Sequence, residues 1–220
     1  MLSIRNLRSA DIPSVIALQQ RVYTTIPAFQ EPQFESLLRE FPTGQVVAEL
    51  DGEIVGIALS LVILWDDYSL HHTWASVTND GLFDTHDMGG RTLYGAEVCV
   101  DPKTRGQGVG HTLYDARRTL CKAMNLKRII AGGRLPDYHK VATQMAPEEY
   151  AKRVIWGDLY DPVLRFQLDE GFDYCGILHG YLPNDIDSVG NASLIVWLNR
   201  DYDSERPTQA PPAGLFEEKS

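Results

Sequence analysis

Basic charge is in short supply. Lysine and arginine total 20 against 30 aspartates and glutamates, a formal net charge of −10 at pH 7 over 220 residues. A nucleic-acid binder of this size usually has the opposite balance, because phosphates must be neutralised by Lys and Arg. DNA and RNA are therefore disfavoured as partners. An acidic surface suits a cationic amine substrate, although it also aids solubility. Cysteine is equally sparse. Cys99, Cys121 and Cys175 are odd in number, far apart and set in apolar runs. They read as buried, reduced thiols with no zinc spacing among them. The longest apolar run, Ile57 to Trp65, is too short to span a bilayer. Met1 to Arg8 lacks the apolar core of a signal peptide. We expect a soluble, cytoplasmic protein with no membrane partner.

Several catalytic signatures are also missing. A Walker loop needs Gly-Lys-Ser/Thr, but Gly110 is followed by His111 and Thr112. The dinucleotide fingerprint fails at its third glycine, since the spacing from Gly106 is G-x-G-x-G. There is no G-x-S-x-G elbow, and no cysteine sits in a nucleophile context, so a covalent acyl-enzyme is unsupported. His71, His72 and His86, with Asp84 and Asp87, show no helical ligand spacing. They are expected to line a pocket or brace a loop, and no metal is expected.

With 44% hydrophobic and 10% aromatic residues, the chain can bury the core of one domain. Its most telling stretch is Arg105-Gly106-Gln107-Gly108-Val109-Gly110, between the apolar run Glu97 to Pro102 and a helical pattern. Glycines at a strand–helix junction let backbone N–H groups approach a ligand, and the helix start adds unpaired donors and a positive dipole end. A diphosphate fits such a place.

The flanking pattern predicts a strand over 2–7, a helix opened by Asp11 and Pro13 with Val15, Ile16, Leu18 and Val22 on one side, and a short helix over 33–40. A hairpin turning at Asp51-Gly52 follows, between runs 46–50 and 53–64. Residues 65–91 read as a long loop that could wall an acceptor pocket. A central strand covers 92–100, and a helix over 109–124 buries Val109, Leu113, Ala116, Leu120 and Met124. Arg117, Arg118 and Lys122 fall off that face and read as solvated, or as placed to reach a phosphate of the ligand. Leu126 to Ala131 reads as a strand ended by Gly132-Gly133. Residues 134–160 look like an insertion carrying a helix from Pro147. A short helix over 162–170 and strands near 172–179 and 192–199 complete the domain at 1–202. The proline-rich, acidic residues 203–220 are expected to be disordered.

Arg-x-x-Gly-x-Gly after Val-x-Val-Asp-Pro resembles the acetyl-CoA loop of the GNAT superfamily of N-acetyltransferases. Asp161 to Phe172, ending in Gly171-Phe172, is similar to that family's second motif. Gly132 to Lys140, Asp161 to Phe172 and Ala192 to Asn199 together resemble a narrower branch. In some of its members the acetyltransferase domain is fused to a carbon–nitrogen hydrolase (nitrilase-like) domain. The resemblance implies an α/β (α+β) fold: a mixed, mostly antiparallel central sheet flanked by helices. It also implies acetyl-CoA as acetyl donor. The backbone from Arg105 through Gly106, Gln107, Gly108, Val109, Gly110 and His111 would hold the diphosphate. The pantetheine arm would run beside Val98, Cys99 and Val100, where a backbone N–H would bind the acetyl oxygen.

Acyl transfer to an amine then needs three things: a positioned thioester, a polarised carbonyl and a deprotonated amine. Glu97, on the motif strand, is the leading candidate base, with Asp137 and Glu170 as weaker alternatives. Many relatives carry a tyrosine four residues before the motif glycine as the acid for the leaving thiolate. Gln167 stands there in this chain, so Tyr160 or Tyr138 would have to substitute unless no acid is needed. The acceptor, a small-molecule or protein amine, is not readable, and a homodimer is left open. Two other readings stay open: a CoA-binding sensor or interaction module that has lost catalysis, and a different α/β nucleotide binder.

Overall fold

Seven strands form one sheet in the order β1-β2-β3-β4-β5-β7-β6 in the computed structural model, which describes residues 1–216. The strands are β1 (Leu2–Asn6), β2 (Val46–Leu50), β3 (Glu53–Ile63), β4 (Thr92–Val100), β5 (Arg128–Arg134), β6 (Asp173–Leu178) and β7 (Ala192–Leu198). All neighbours are antiparallel except β4 and β5. Helix α4 (Val109–Ala123) carries the chain from the end of β4 back to the start of β5, the crossover a parallel pair requires. Helices α1 (Ile12–Val22) and α2 (Glu31–Glu40) cover one face, with Val15, Leu18, Phe34 and Leu37 in one core with Ile57, Leu59 and Tyr94. The opposite face is covered by α4, α5 (Pro147–Trp156) and α6 (Pro162–Asp169), with Leu120, Val154 and Leu164 in a second core with Leu93, Ile129 and Ile195.

Five expectations differ from the structure. Residues 65–91 contain a short helix, α3 (Trp74–Thr78), and bury Val77 and Phe83 in the first core. Five helical residues are too few to show a period. Gly132 and Gly133 do not end β5 but pair with Leu194 and Ser193 of β7. Cys175 is exposed rather than buried, at a register shift in the edge strand β6. Residues 203–216 form no helix or strand, yet the Asn125 Nδ2 amide donates to the carbonyls of Asp203 and Arg206, and Leu215 and Phe216 pack on the second core. The remaining four residues of the expected disordered tail lie outside the described ones.

The largest departure is Arg117, expected in solvent and found 3% exposed. In the β3–β4 ladder Leu59 faces Glu97 but Ser60 faces Gly95, so Ala96 is an extra residue, a β-bulge. A bulge turns carbonyls out of the ladder, and a buried unpaired carbonyl costs roughly 1–3 kcal/mol. Arg117 reaches from α4 to cover them. Its Nη2 donates to the carbonyls of Leu59 (3.0 Å) and Glu97 (2.8 Å), and its Nε donates to Ser60 Oγ (3.1 Å). The fit depends on Gly95, because a Cβ there would lie 2.8 Å from Arg117 Nη1.

Gly95→Ala should therefore destabilise the protein by about 1–3 kcal/mol through overpacking, or roughly 2–4 °C in Tm per kcal/mol for a chain of this size. In an Arg117→Ala background the Cβ meets no guanidinium, so the same substitution should cost less. A thermal-denaturation double-mutant cycle reads the difference.

Candidate functional site

Beyond the bulge the sheet forks. β4 and β5 pair only from Thr92–Arg128 to Gly95–Ala131. β4 stays paired with β3 as far as Val100, and β5 with β7 as far as Arg134. The β4 edge from Ala96 to Val100 thus has no strand partner on its β5 side. An open strand edge can pair with an extended guest. Val98 and Val100 are half-buried, and both contribute to the cores on the α4 side. Cys99 is buried in the core on the α1 side.

At the mouth of the fork lies the glycine loop. Asp101 anchors its start, accepting from the Lys103 N–H and from the Arg21 guanidinium of α1. Gly106 and Gly108 have φ of 78° and 80°, the left-handed region, and a Cβ on either would meet nothing within 4 Å. Among the described residues, no backbone acceptor pairs with the N–H of Gly106, Gly108, Val109, Gly110 or His111. The Val109 side chain is buried in the core, leaving its amide to the loop. Arg105 and Gln107 are exposed. Gly110 has a different role: a Cβ there would lie 3.0 Å from the Phe166 ring, so it lets α4 and α6 approach closely. The His111 ring meets Glu170 (3.0 Å), which Arg118 also holds (3.0 Å). A cluster of unpaired amides at a helix start has the donors and dipole that favour an anion.

The bulge re-aims Glu97. With one extra residue in β4, both Ala96 and Glu97 turn toward the α1 face. Glu97 Oε1 accepts from Tyr23 OH at 2.5 Å, just past the end of α1. The Tyr23 ring lies 5.7 Å from the Arg134 guanidinium at the end of β5. Arg134 in turn holds Asp185 (2.5 Å) and Asp187 (3.2 Å) from the β6–β7 connection, and Thr25 Oγ1 donates to Asp187 (3.0 Å). Burial raises the Glu97 carboxyl above the usual range, and the Tyr23 bond with the Arg134 and Arg117 charges only partly offsets it. Asp185 goes the other way: burial would raise it, but the bonds from Arg134 and Ser188 hold it below the ordinary carboxylate value. One carboxyl here is reluctant to ionise while its neighbour is fixed as an anion. That split is how a site separates a proton acceptor from a structural charge.

The other expected residues do not join this cluster. Tyr160 is 66% exposed in the α5–α6 connection. Its neighbour Asp161 is the anchored residue, capping α6 through Val163 and Leu164 N–H bonds of 3.0 Å. Tyr138 is buried and donates to the Met145 carbonyl. Asp137 pairs with Lys140, and Glu170 belongs to the loop end. Gln167 is buried beside β5, its Nε2 on Tyr114 OH (3.2 Å), with no partner for Oε1 among the described residues. His86 accepts from the Val62 N–H and His72 packs against Trp65, Tyr94 and Tyr181. Burial lowers the pKa of both histidines. Among the described residues, no group of three or more His, Cys, Asp or Glu is arranged for a metal, and no helix is long and apolar enough to cross a membrane.

Tyr23, Asp185 and Asp187 carry no motif, and Arg134 falls in the Gly132–Lys140 segment, which does not single it out. They lie in or beside loops and meet only through the topology. Replacing Tyr23 with Phe removes the bond that favours the Glu97 anion, so the Glu97 pKa should rise further; carboxyl 13C NMR titration reads it. Because the folded-state pKa is already raised, ionising Glu97 costs stability as pH climbs from the unfolded-state value through the folded one. Glu97→Gln should therefore gain Tm over the native protein across that interval, and the gain should level off above it.

A profile of the acetyltransferase (GNAT) family matches residues 9–143. The "Probable hydrolase YhcX" of Bacillus subtilis (strain 168) is 44% identical over 199 residues, 90% of this chain, and the match spans only 39% of that protein's length. The "Uncharacterized N-acetyltransferase YkwB" of the same organism is 33% identical over 207 residues, covering 91% of this chain and 90% of that one. Among solved structures, the GphF GNAT-like decarboxylase in complex with isobutyryl-CoA superposes with a TM-score of 0.74 at 24% identity, over 89% of this chain and 98% of that one. With its forked sheet, its free-amide loop and these similarities, the chain belongs to the GNAT acetyltransferase family.

Proposed function

We propose that this chain moves an acetyl group from acetyl-CoA to a primary amine by direct attack. One observation carries the proposal: the unpaired amides of Gly106, Gly108, Val109, Gly110 and His111 and the re-aimed Glu97 flank the same open edge of β4. A diphosphate on the loop would let the pantetheine arm pair along Val98, Cys99 and Val100, bringing the thioester toward the bulge. The amine then enters from the α1 face, where Glu97 is the proton acceptor. Such a base has work to do, because only about one alkyl ammonium in a thousand is deprotonated at neutral pH, by analogy with lysine. Arg134 is outweighed by Asp185 and Asp187, so the wall of this entrance favours a cationic acceptor, either a small-molecule or a protein amine. A thiol pKa of about 8.5 makes CoA a fair leaving group, so Gln167 in place of a tyrosine does not stop the reaction. The acyl-CoA in the GphF complex and the name of YkwB support the donor and the reaction type. The free thiols of Cys99, Cys121 and Cys175 suit the cytoplasm.

An amine panel with acetyl-CoA and free-thiol detection tests the proposal. Thiol release with at least one amine is expected, whereas CoA binding without turnover would favour a cofactor-binding module instead. Glu97→Gln should lower kcat/KM by about 10²–10⁴-fold while leaving CoA affinity unchanged. Gly108→Asp should abolish CoA binding in calorimetry. It places a side chain at φ 80° and a negative charge at the amide cluster.

A further inference from the structure

Where the sheet divides, a tyrosine from outside every recognised motif occupies the vertex. Tyr181 follows β6, and its ring lies over Gly132, the first β5 residue beyond the last β4–β5 pair, Gly95–Ala131. A Cβ on Gly132 would lie 2.3 Å from Tyr181 Cζ, so the glycine makes room for the phenol. The Tyr181 hydroxyl meets the hydroxyl of Tyr94, one residue before Gly95, at 2.5 Å. Both rings are buried. The Tyr181 carbonyl accepts from the Trp74 N–H (3.1 Å), and Trp74 Nε1 donates to the bulge carbonyl of Ala96 (3.0 Å). The phenol is thus fixed from two sides of the bulge.

Two hydroxyls that share one hydrogen bond leave one O–H proton over. Among the described residues neither hydroxyl has a second acceptor. A buried O–H with nothing to donate to costs free energy, and such orphans in native proteins call for a partner. Burial holds the Tyr181 phenol far above its usual pKa, so it stays protonated at any working pH. An arm running along the β4 edge from Val100 to Val98 would deliver its acyl end to this vertex.

We infer that Tyr181 is a further catalytic residue, whose hydroxyl donates a hydrogen bond to the thioester carbonyl oxygen of the bound acyl donor. The inference rests on the acetyltransferase proposal above. As the amine nitrogen forms its bond to the carbonyl carbon, the C=O π pair moves onto oxygen, where Tyr181 meets the growing charge. The pair returns as the C–S bond breaks and sulfur leaves with its electrons. The amine proton passes to Glu97, and solvent protonates the thiolate. Tyr94 orients the phenol and touches nothing that reacts.

The test compares native protein, Tyr181→Phe and Tyr94→Phe, each of which keeps its ring. The infrared C=O band of bound 13C-labelled acetyl-CoA is recorded for each, with kcat, acetyl-CoA affinity and Tm. In native protein the band should lie below its position in water, and Tyr181→Phe should return it toward that position. The same substitution should lower kcat by roughly 10²–10³-fold, the usual effect of losing one oxyanion donor, with affinity within a few-fold of native. Tyr94→Phe should leave the band shifted and cost much less in kcat. An unmoved band in Tyr181→Phe, or equal kcat losses in the two variants, would make the pair structural and overturn the inference while leaving the acetyltransferase proposal standing. A native protein that binds no acetyl-CoA would overturn both.

Discussion

One buried cation holds the architecture of this site in place. Arg117 crosses from α4 to the backbone of two strands and pairs the carbonyls of Leu59 and Glu97. Without it, the extra residue Ala96 would leave polar backbone unpaired in the core. With it, the bulge can persist, and much follows from the bulge. Glu97 turns to the α1 face, β4 leaves β5 after Gly95, and an open edge appears between the glycine loop and the carboxyl. The guanidinium is costly to bury, since burial pulls its pKa below the usual value. Its retention there fits the need for a fixed irregularity in an otherwise regular sheet.

The fork also divides the labour between the two faces. On the α4 side lie the loop amides, Val98, Val100 and Gln167, suited to an extended anionic ligand. On the α1 side lie Tyr23, Glu97, Arg134, Asp185 and Asp187, a network with unequal protonation tendencies. An acyl donor and its acceptor would then meet only at the vertex, where the strands separate. A small apolar crossing with polar groups aimed from both faces can exclude water while keeping both reactants oriented.

Much of this was legible in the sequence. The alternation and turn chemistry of 46–63 mark the hairpin, the apolar period of 109–124 marks α4, and the glycines of 105–110 mark the loop of unpaired amides. Each signal is local. Glu97, the proposed base, is suggested by an equally local signal, since it sits on the strand leading into that loop. The rest depends on contacts between distant segments. Arg117 looks like any basic residue off an apolar face, since its partners are backbone carbonyls exposed by a bulge that leaves no compositional trace. Gly132 and Gly133 look like a strand end, but they are glycines because Tyr181 and Gln167 fill the space of a Cβ. Tyr23, Asp185 and Asp187 come from connections whose ends the sheet order alone brings together.

The most direct measurement is the crystal structure of the protein grown with acetyl-CoA. Diphosphate oxygens should lie within hydrogen-bond distance of the amides of Gly106 and Gly108 to His111, and the pantetheine arm should pair along Val98 to Val100. The thioester should lie beside Ala96 and Glu97, with the β4–β5 fork unchanged. A cofactor bound away from this fork, or a loop whose amides turn from the diphosphate, would contradict this arrangement.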